Sequence, residues 1–142
     1  MQEHIEAWIQ HLSLPQTSLG GMAVCPFARK AVYEIIETND IVVPDREFEI
    51  IVFVLSADQT QDQLFDYCKI LNAQYDNYIF LPDPKDRQTL IGDVQTNNGV
   101  YNLILCQPRD KLLRARKVLS KTNYYQYWSP EYLKEITGHD FY

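Results

Sequence analysis

No run in this chain approaches the ~18 consecutive apolar residues of a membrane-spanning helix, so no such span is expected. The opening Met1-Gln2-Glu3-His4 lacks the basic and then apolar segments of a secretory signal. Cysteine is scarce: Cys25, Cys68 and Cys106 form no CxxC pair and leave an odd count. That argues against a disulfide framework and for a reducing compartment, so a cytoplasmic protein is expected. The motifs GxGxxG, GxxxxGK[ST] and GxSxG are all absent, which leaves nucleotide-binding and serine-hydrolase readings without motif support. Histidine is limited to His4, His11 and His139. The first two stand about 10 Å apart along a helix, whereas paired metal ligands need a spacing nearer three or four residues. No metal and no other cofactor is expected.

What is present suits a single globular domain over residues 1–142, with 46% hydrophobic and 23% charged residues. The net charge of -6 is unevenly distributed. Residues 1–106 hold 15 acids and 6 bases, while residues 107–142 hold 4 acids and 7 bases. Six of those bases, Arg109, Lys111, Arg114, Arg116, Lys117 and Lys121, fall in one short segment.

Apolar periodicity supplies the elements. Residues 2–12 read as a helix with Ile5, Ile9 and Leu12 on one stripe, ended by Leu14-Pro15. Pro26 suits a first helical position, which predicts a second helix to about Glu37. Glu47 to Leu55 is too continuously apolar for a half-wet strand and reads as a central one. Ser56, with Gln59 three residues on, carries a capping-box signature for the next helix, whose buried face is Leu64, Cys68, Leu71 and Tyr75. A strand follows at Asn77 to Leu81, parallel to the first across a crossover. Asn98-Gly99 signals a turn that would pair residues 89–95 with the strand Val100 to Cys106. A helix from Pro108 to about Lys121, a last strand within Thr122 to Trp128, and a short helix from Ser129 to Thr137 stopped by Gly138 complete the order. The fold class expected is α+β, with a ferredoxin-like (split βαβ) sheet and an N-terminal helical pair.

The candidate chemistry centres on Gly20-Gly21-Met22-Ala23-Val24-Cys25-Pro26-Phe27-Ala28-Arg29-Lys30. A thiol before a helix start faces unpaired N–H groups and the positive end of the dipole, which favours the thiolate. On this reading Cys25 is the nucleophile, with Arg29 and Lys30 as electrostatic support. Gly20, Gly21, Pro26, Phe27 and Trp8 would surround a small thiol or anionic ligand. Against it stands a structural thiol filling a gap beneath Trp8, since free cysteine is among the most buried residue types. Cys68 and Cys106 read as core. Asp83, Asp86 and Asp93 read as a solvated loop.

The tetrapeptide Cys25-Pro26-Phe27-Ala28 resembles the active-site motif of omega-class glutathione transferases and monothiol glutaredoxin-like proteins. With Ala28 where dithiol enzymes carry a second cysteine, the resemblance implies monothiol chemistry. Ala7-Trp8 in its short helix, followed by the same tetrapeptide and a basic residue, is similar to an uncharacterised bacterial family. That family carries a Leu-Cys-Pro-Phe-Ala motif near its N-terminus, and Val24 stands where it has leucine. The resemblance implies that Cys25 and Pro26 belong to a defined site, and it brings no activity with it.

The second candidate is the basic helix. Leu112, Ala115, Val118 and Leu119 form its apolar face, while Arg114, Lys117 and Lys121 form an outward stripe beside Lys111. Tyr124, Tyr125, Tyr127 and Trp128 follow directly. Basic residues beside aromatics suit single-stranded nucleic acid, but the acidic whole chain opposes a polyanion. A solvated face complementary to a protein or small anionic partner fits better, with the tyrosines packed in the core or at a homodimer contact. Two functions remain: a thiol-dependent redox or thiol-transfer enzyme using Cys25, and a non-catalytic interaction protein using the basic helix and aromatic segment.

Overall fold

The computed structural model of the protein describes residues 1–137; the expected stop at Gly138, and His139, lie outside the described residues. In chain order the regular elements are helix α1 (Gln2–Ser13), strands β1 (Tyr33–Glu37) and β2 (Ile50–Leu55), helix α2 (Gln61–Gln74), strands β3 (Tyr78–Asp83), β4 (Leu90–Ile91), β5 (Val94–Gln95) and β6 (Asn102–Pro108), and helices α3 (Arg109–Ser120) and α4 (Pro130–Thr137). Two compact units emerge. One gathers residues 1–30, 88–96 and the chain from Lys111 onward; the other gathers residues 31–87 and 97–110. No helix among the described residues is long and apolar enough to cross a membrane.

The second unit is a four-stranded mixed sheet in the order β1-β2-β6-β3. Alternate residues of β2, Ile51, Phe53 and Leu55, enter a core with Leu64, Cys68 and Leu71 of α2 and with Phe80, Ile104 and Cys106. Val52 and Val54 on its other face are equally buried, as a doubly covered strand requires. The expected direct pairing of 48–55 with 77–82 does not form. Both strands lie in this sheet, but β6 runs between them, antiparallel to each. Leu103 on one face, and Ile104 and Cys106 on the other, are fully buried, and an interior position in the sheet is what such a segment demands.

The expected N-terminal helical pair is corrected to one helix. Residues 26–30 form successive turns, with Ala28 N–H donating to Cys25 O (3.1 Å) and Lys30 N–H to Phe27 O (3.2 Å). The chain then enters β1, parallel to β2, with Tyr33 opposite Ile50 and Glu37 opposite Val54. Tyr33-Glu34-Ile35-Ile36 is aromatic and β-branched, and sheet pairing outweighs the helix-start signal of Pro26. The β1–β2 connection crosses without a helix, and Ile41 from this loop enters the sheet core instead. Helix α2 starts four residues beyond the expected box. Thr60 Oγ1 accepts from Gln63 N–H (3.2 Å) and Gln63 Oε1 from Thr60 N–H (3.0 Å), while Ser56 accepts from Asn39 Nδ2 (2.8 Å).

In the first unit, α1 buries Ile5 and Trp8, whose indole N–H donates to Thr96 O (2.8 Å). Residues 89–95 do not pair with β6. They fold on themselves as the β4–β5 hairpin around Gly92, whose φ of 60° places it in the left-handed region. The expected last strand at 122–128 is also absent. Tyr124–Tyr127 is a 3-10 turn, and the rings of Tyr124, Tyr125, Trp128 and Tyr132 pack on one another within 4.8–5.7 Å. This side-by-side packing needs the tight spacing of a turn, because a strand would send alternate rings to opposite faces. Ser129 caps α4 through its hydroxyl, which accepts from Tyr132 N–H (3.1 Å).

Candidate functional site

Cys25 sits on a loop pinned from both sides. Its own N–H donates to Leu12 O at the end of α1 (2.8 Å), and the Tyr124 hydroxyl donates to the carbonyl of Val24. Val24 is itself core, packed with Leu19, Ile91 and Val94. The thiol is partly covered, and burial pushes its pKa up; the N–H groups of Ala28 and Phe27 favour the thiolate but do not outweigh that burial. With turns instead of a helix after Cys25, the dipole that would have lowered the pKa is missing.

The other residues named with Cys25 are distributed around this loop. Arg29 and Lys30 are exposed, Pro26 is half-buried and Phe27 is 46% exposed. Gly20 and Gly21, at φ 65° and 84°, end the turn Thr17–Leu19. A Cβ on Gly20 would stand 3.0 Å from the Tyr127 hydroxyl, so the glycine admits a neighbouring side chain. Trp8 is core. Sequence places Tyr124 and Arg116 only as members of the aromatic and basic segments, and foresees neither the hydrogen bond of Tyr124 to Val24 nor the burial of Arg116. Burial raises the Tyr124 pKa, Cys25, Tyr125 and Tyr132 raise it further, and Arg116 lowers it. Arg116 is 5% exposed and donates from Nη2 to Ile136 O (3.1 Å). A signal for it existed: Leu112, Arg116 and Leu119 lie at offsets of four and three on one helix stripe.

Among the described residues no three histidine, cysteine or acidic side chains are placed to hold a metal ion. His11 Nε2 lies 3.3 Å from Gln95 O.

Asp83 departs from the solvated loop expected of it. At the end of β3 it is 5% exposed. Its Oδ1 accepts from Asn97 Nδ2 (2.5 Å), and its Oδ2 from the Asn98 N–H (3.0 Å) and Nδ2 (2.5 Å). Burial raises its pKa, against the lowering by these donors and by Arg87. Asn98 Oδ1 in turn accepts from the N–H groups of Val100 and Tyr101 (3.0 and 2.7 Å). The Asn98-Gly99 turn is thus anchored on a buried carboxylate, a structural role.

The basic helix presents the face expected of it, with one exchange. Lys111, Arg114, Lys117 and Lys121 are all exposed. Val118, assigned to the apolar side, is 58% exposed among them, while Arg116 takes the buried place. Tyr124 is only 7% exposed, and its aromatic neighbours pack on each other. The aromatic segment is therefore core packing more than an open stacking platform. The charge is segregated by unit: the sheet unit carries 13 acids against 5 bases, and the unit holding this helix face carries 6 acids against 8 bases.

Comparison with known proteins gives no relative: no family, no curated protein and no solved structure matches the chain.

Proposed function

We propose that this protein is a non-catalytic interaction protein whose working surface is the outer face of α3. One observation carries the reading. Four exposed cations, Lys111, Arg114 and Lys117 on α3 and Lys121 in the turn just past its end, lie together in a chain that is otherwise acidic. A concentrated patch of one sign steers and selects a partner of the other sign. The partner class is an acidic protein surface. Nucleic acid is disfavoured, because base stacking needs exposed rings and the adjacent Tyr124 is buried.

Reversing Lys111, Lys117 and Lys121 to glutamate tests this. Exposed substitutions shift stability by no more than about 0.5 kcal/mol each, so the melting transition should stay nearly in place. Binding to poly-L-glutamate, weakened by added salt in the wild type, should disappear in the variant. Equal binding by both proteins, or none by the wild type, would remove the surface from the account.

A second reading keeps Cys25 as a thiol nucleophile in redox or thiol-transfer chemistry. It is supported by the N–H groups of Ala28 and Phe27 that favour the thiolate, and by the monothiol motif. A ferredoxin-like arrangement is supported only for β2, α2, β3, β6 and α3, by β6 lying between β2 and β3; the strand expected after α3 does not form, and β1, parallel to β2, takes the edge.

A further inference from the structure

The exposed face of α3 is more specific than a patch of charge. Lys111, Arg114 and Val118 are separated by three and four residues, the spacing of one helix stripe, and Lys121, three residues on, extends it into the turn past the helix end. Lys117 flanks it. The helical part, Lys111 to Val118, runs about 10 Å along the axis. At its centre an aliphatic side chain stands 58% exposed with cations on either side. A single small anion cannot span this length. A phosphate backbone would use the cations and gain nothing from the valine.

Resting on the interaction reading above, we infer that the partner is an amphipathic acidic helix, with carboxylates at three- and four-residue spacing around one apolar side chain that covers Val118. Charge complementarity selects the acidic partner and holds it in register. Burial of the central apolar pair supplies the part of the affinity that salt does not screen. Helix-on-helix docking suits the geometry, since both partners then repeat at the same spacing.

The probes are two synthetic helical peptides with glutamates at the stripe spacing, one with leucine and the other with serine at the centre. The leucine peptide should bind the full-length protein about tenfold more tightly, the affinity equivalent of partly burying one leucine. Val118→Ser should abolish that difference while leaving the serine peptide's affinity unchanged, a coupling that only direct contact produces. A coincident thermal melt verifies that the variant is folded. Equal affinity for the two peptides in the wild type would overturn the proposal and leave only the charge-based reading. No binding of either peptide or of poly-L-glutamate would overturn both. Tighter binding of a single-stranded oligonucleotide than of the leucine peptide, or self-association that Val118→Ser abolishes, would replace the acidic helix with nucleic acid or with a second copy.

Discussion

Asp83→Ala is expected to destabilise the protein by about 3 kcal/mol, the cost of stranding buried donors. The side chain accepts three hydrogen bonds, two of them from Asn98, itself only 8% exposed. Truncation leaves the Asn98 N–H and amide facing the methyl group, and the turn before β6 loses its anchor. The carboxylate's own burial cost opposes this loss, which is why three bonds do not sum to a larger figure. Asp83→Asn should cost less, because an amide oxygen can still accept from Asn98. The pH dependence follows from the raised folded pKa. Between the ordinary carboxylate range and that raised value, the folded chain holds a proton that the unfolded chain has released. Stability should therefore decline as pH rises through this window and level off above it. Urea titrations of the wild type and of both variants from acidic to neutral pH measure both effects, since only the wild type carries the carboxyl whose titration gives the slope. A loss under about 1 kcal/mol for alanine would show that the donors find other partners.

The second large effect is chemical. Burial pushes the thiols of Cys68 and Cys106 to a pKa of about 12. Against an ordinary value of 9.0, the thiolate fraction at neutral pH falls roughly a thousandfold. Alkylation of these two residues by iodoacetamide should be slower by about that factor than for a free peptide thiol. Unfolding should restore all three cysteines to equal rates. Cys25, also raised but partly exposed, should react more slowly than a free thiol, with a rate that climbs about tenfold per pH unit below the thiol pKa. Mass spectrometry of the labelled peptides reads each site separately. Fast labelling of Cys68 or Cys106 in the folded protein would contradict the packing of the sheet core.

Much of the sheet was legible because its signals are continuous. The unbroken apolar run of β2 and the Leu64, Cys68, Leu71 face of α2 each allow one burial pattern, and both formed. Strand β1 was hidden by Pro26, a helix-start signal whose helix never propagates, and by the absence of a turn motif before Tyr33. The capping box misled in a similar way. Thr60-Gln63 and Ser56-Gln59 carry equivalent signatures four residues apart, and only the packing of Leu64 selects between them. Strand order was not legible, since an apolar segment states that it is buried and not which neighbours bury it. At the candidate site, the exposed stripe of α3 could be read from spacing alone. The exchange of Arg116 and Val118 was signalled by spacing, which puts Arg116 on the stripe of Leu112 and Leu119 and Val118 among the cations, but residue type argued the opposite way and only tertiary contacts show that spacing wins.

Binding of the leucine-bearing acidic peptide to two variants, Cys25→Ser and the triple Lys111→Glu, Lys117→Glu, Lys121→Glu, tests the central claim most directly. A working surface on α3 predicts wild-type affinity for Cys25→Ser and loss of binding for the triple variant, with both proteins folded. Retained binding by the triple variant, or its loss on removing the thiol alone, would contradict the account and return the function to Cys25.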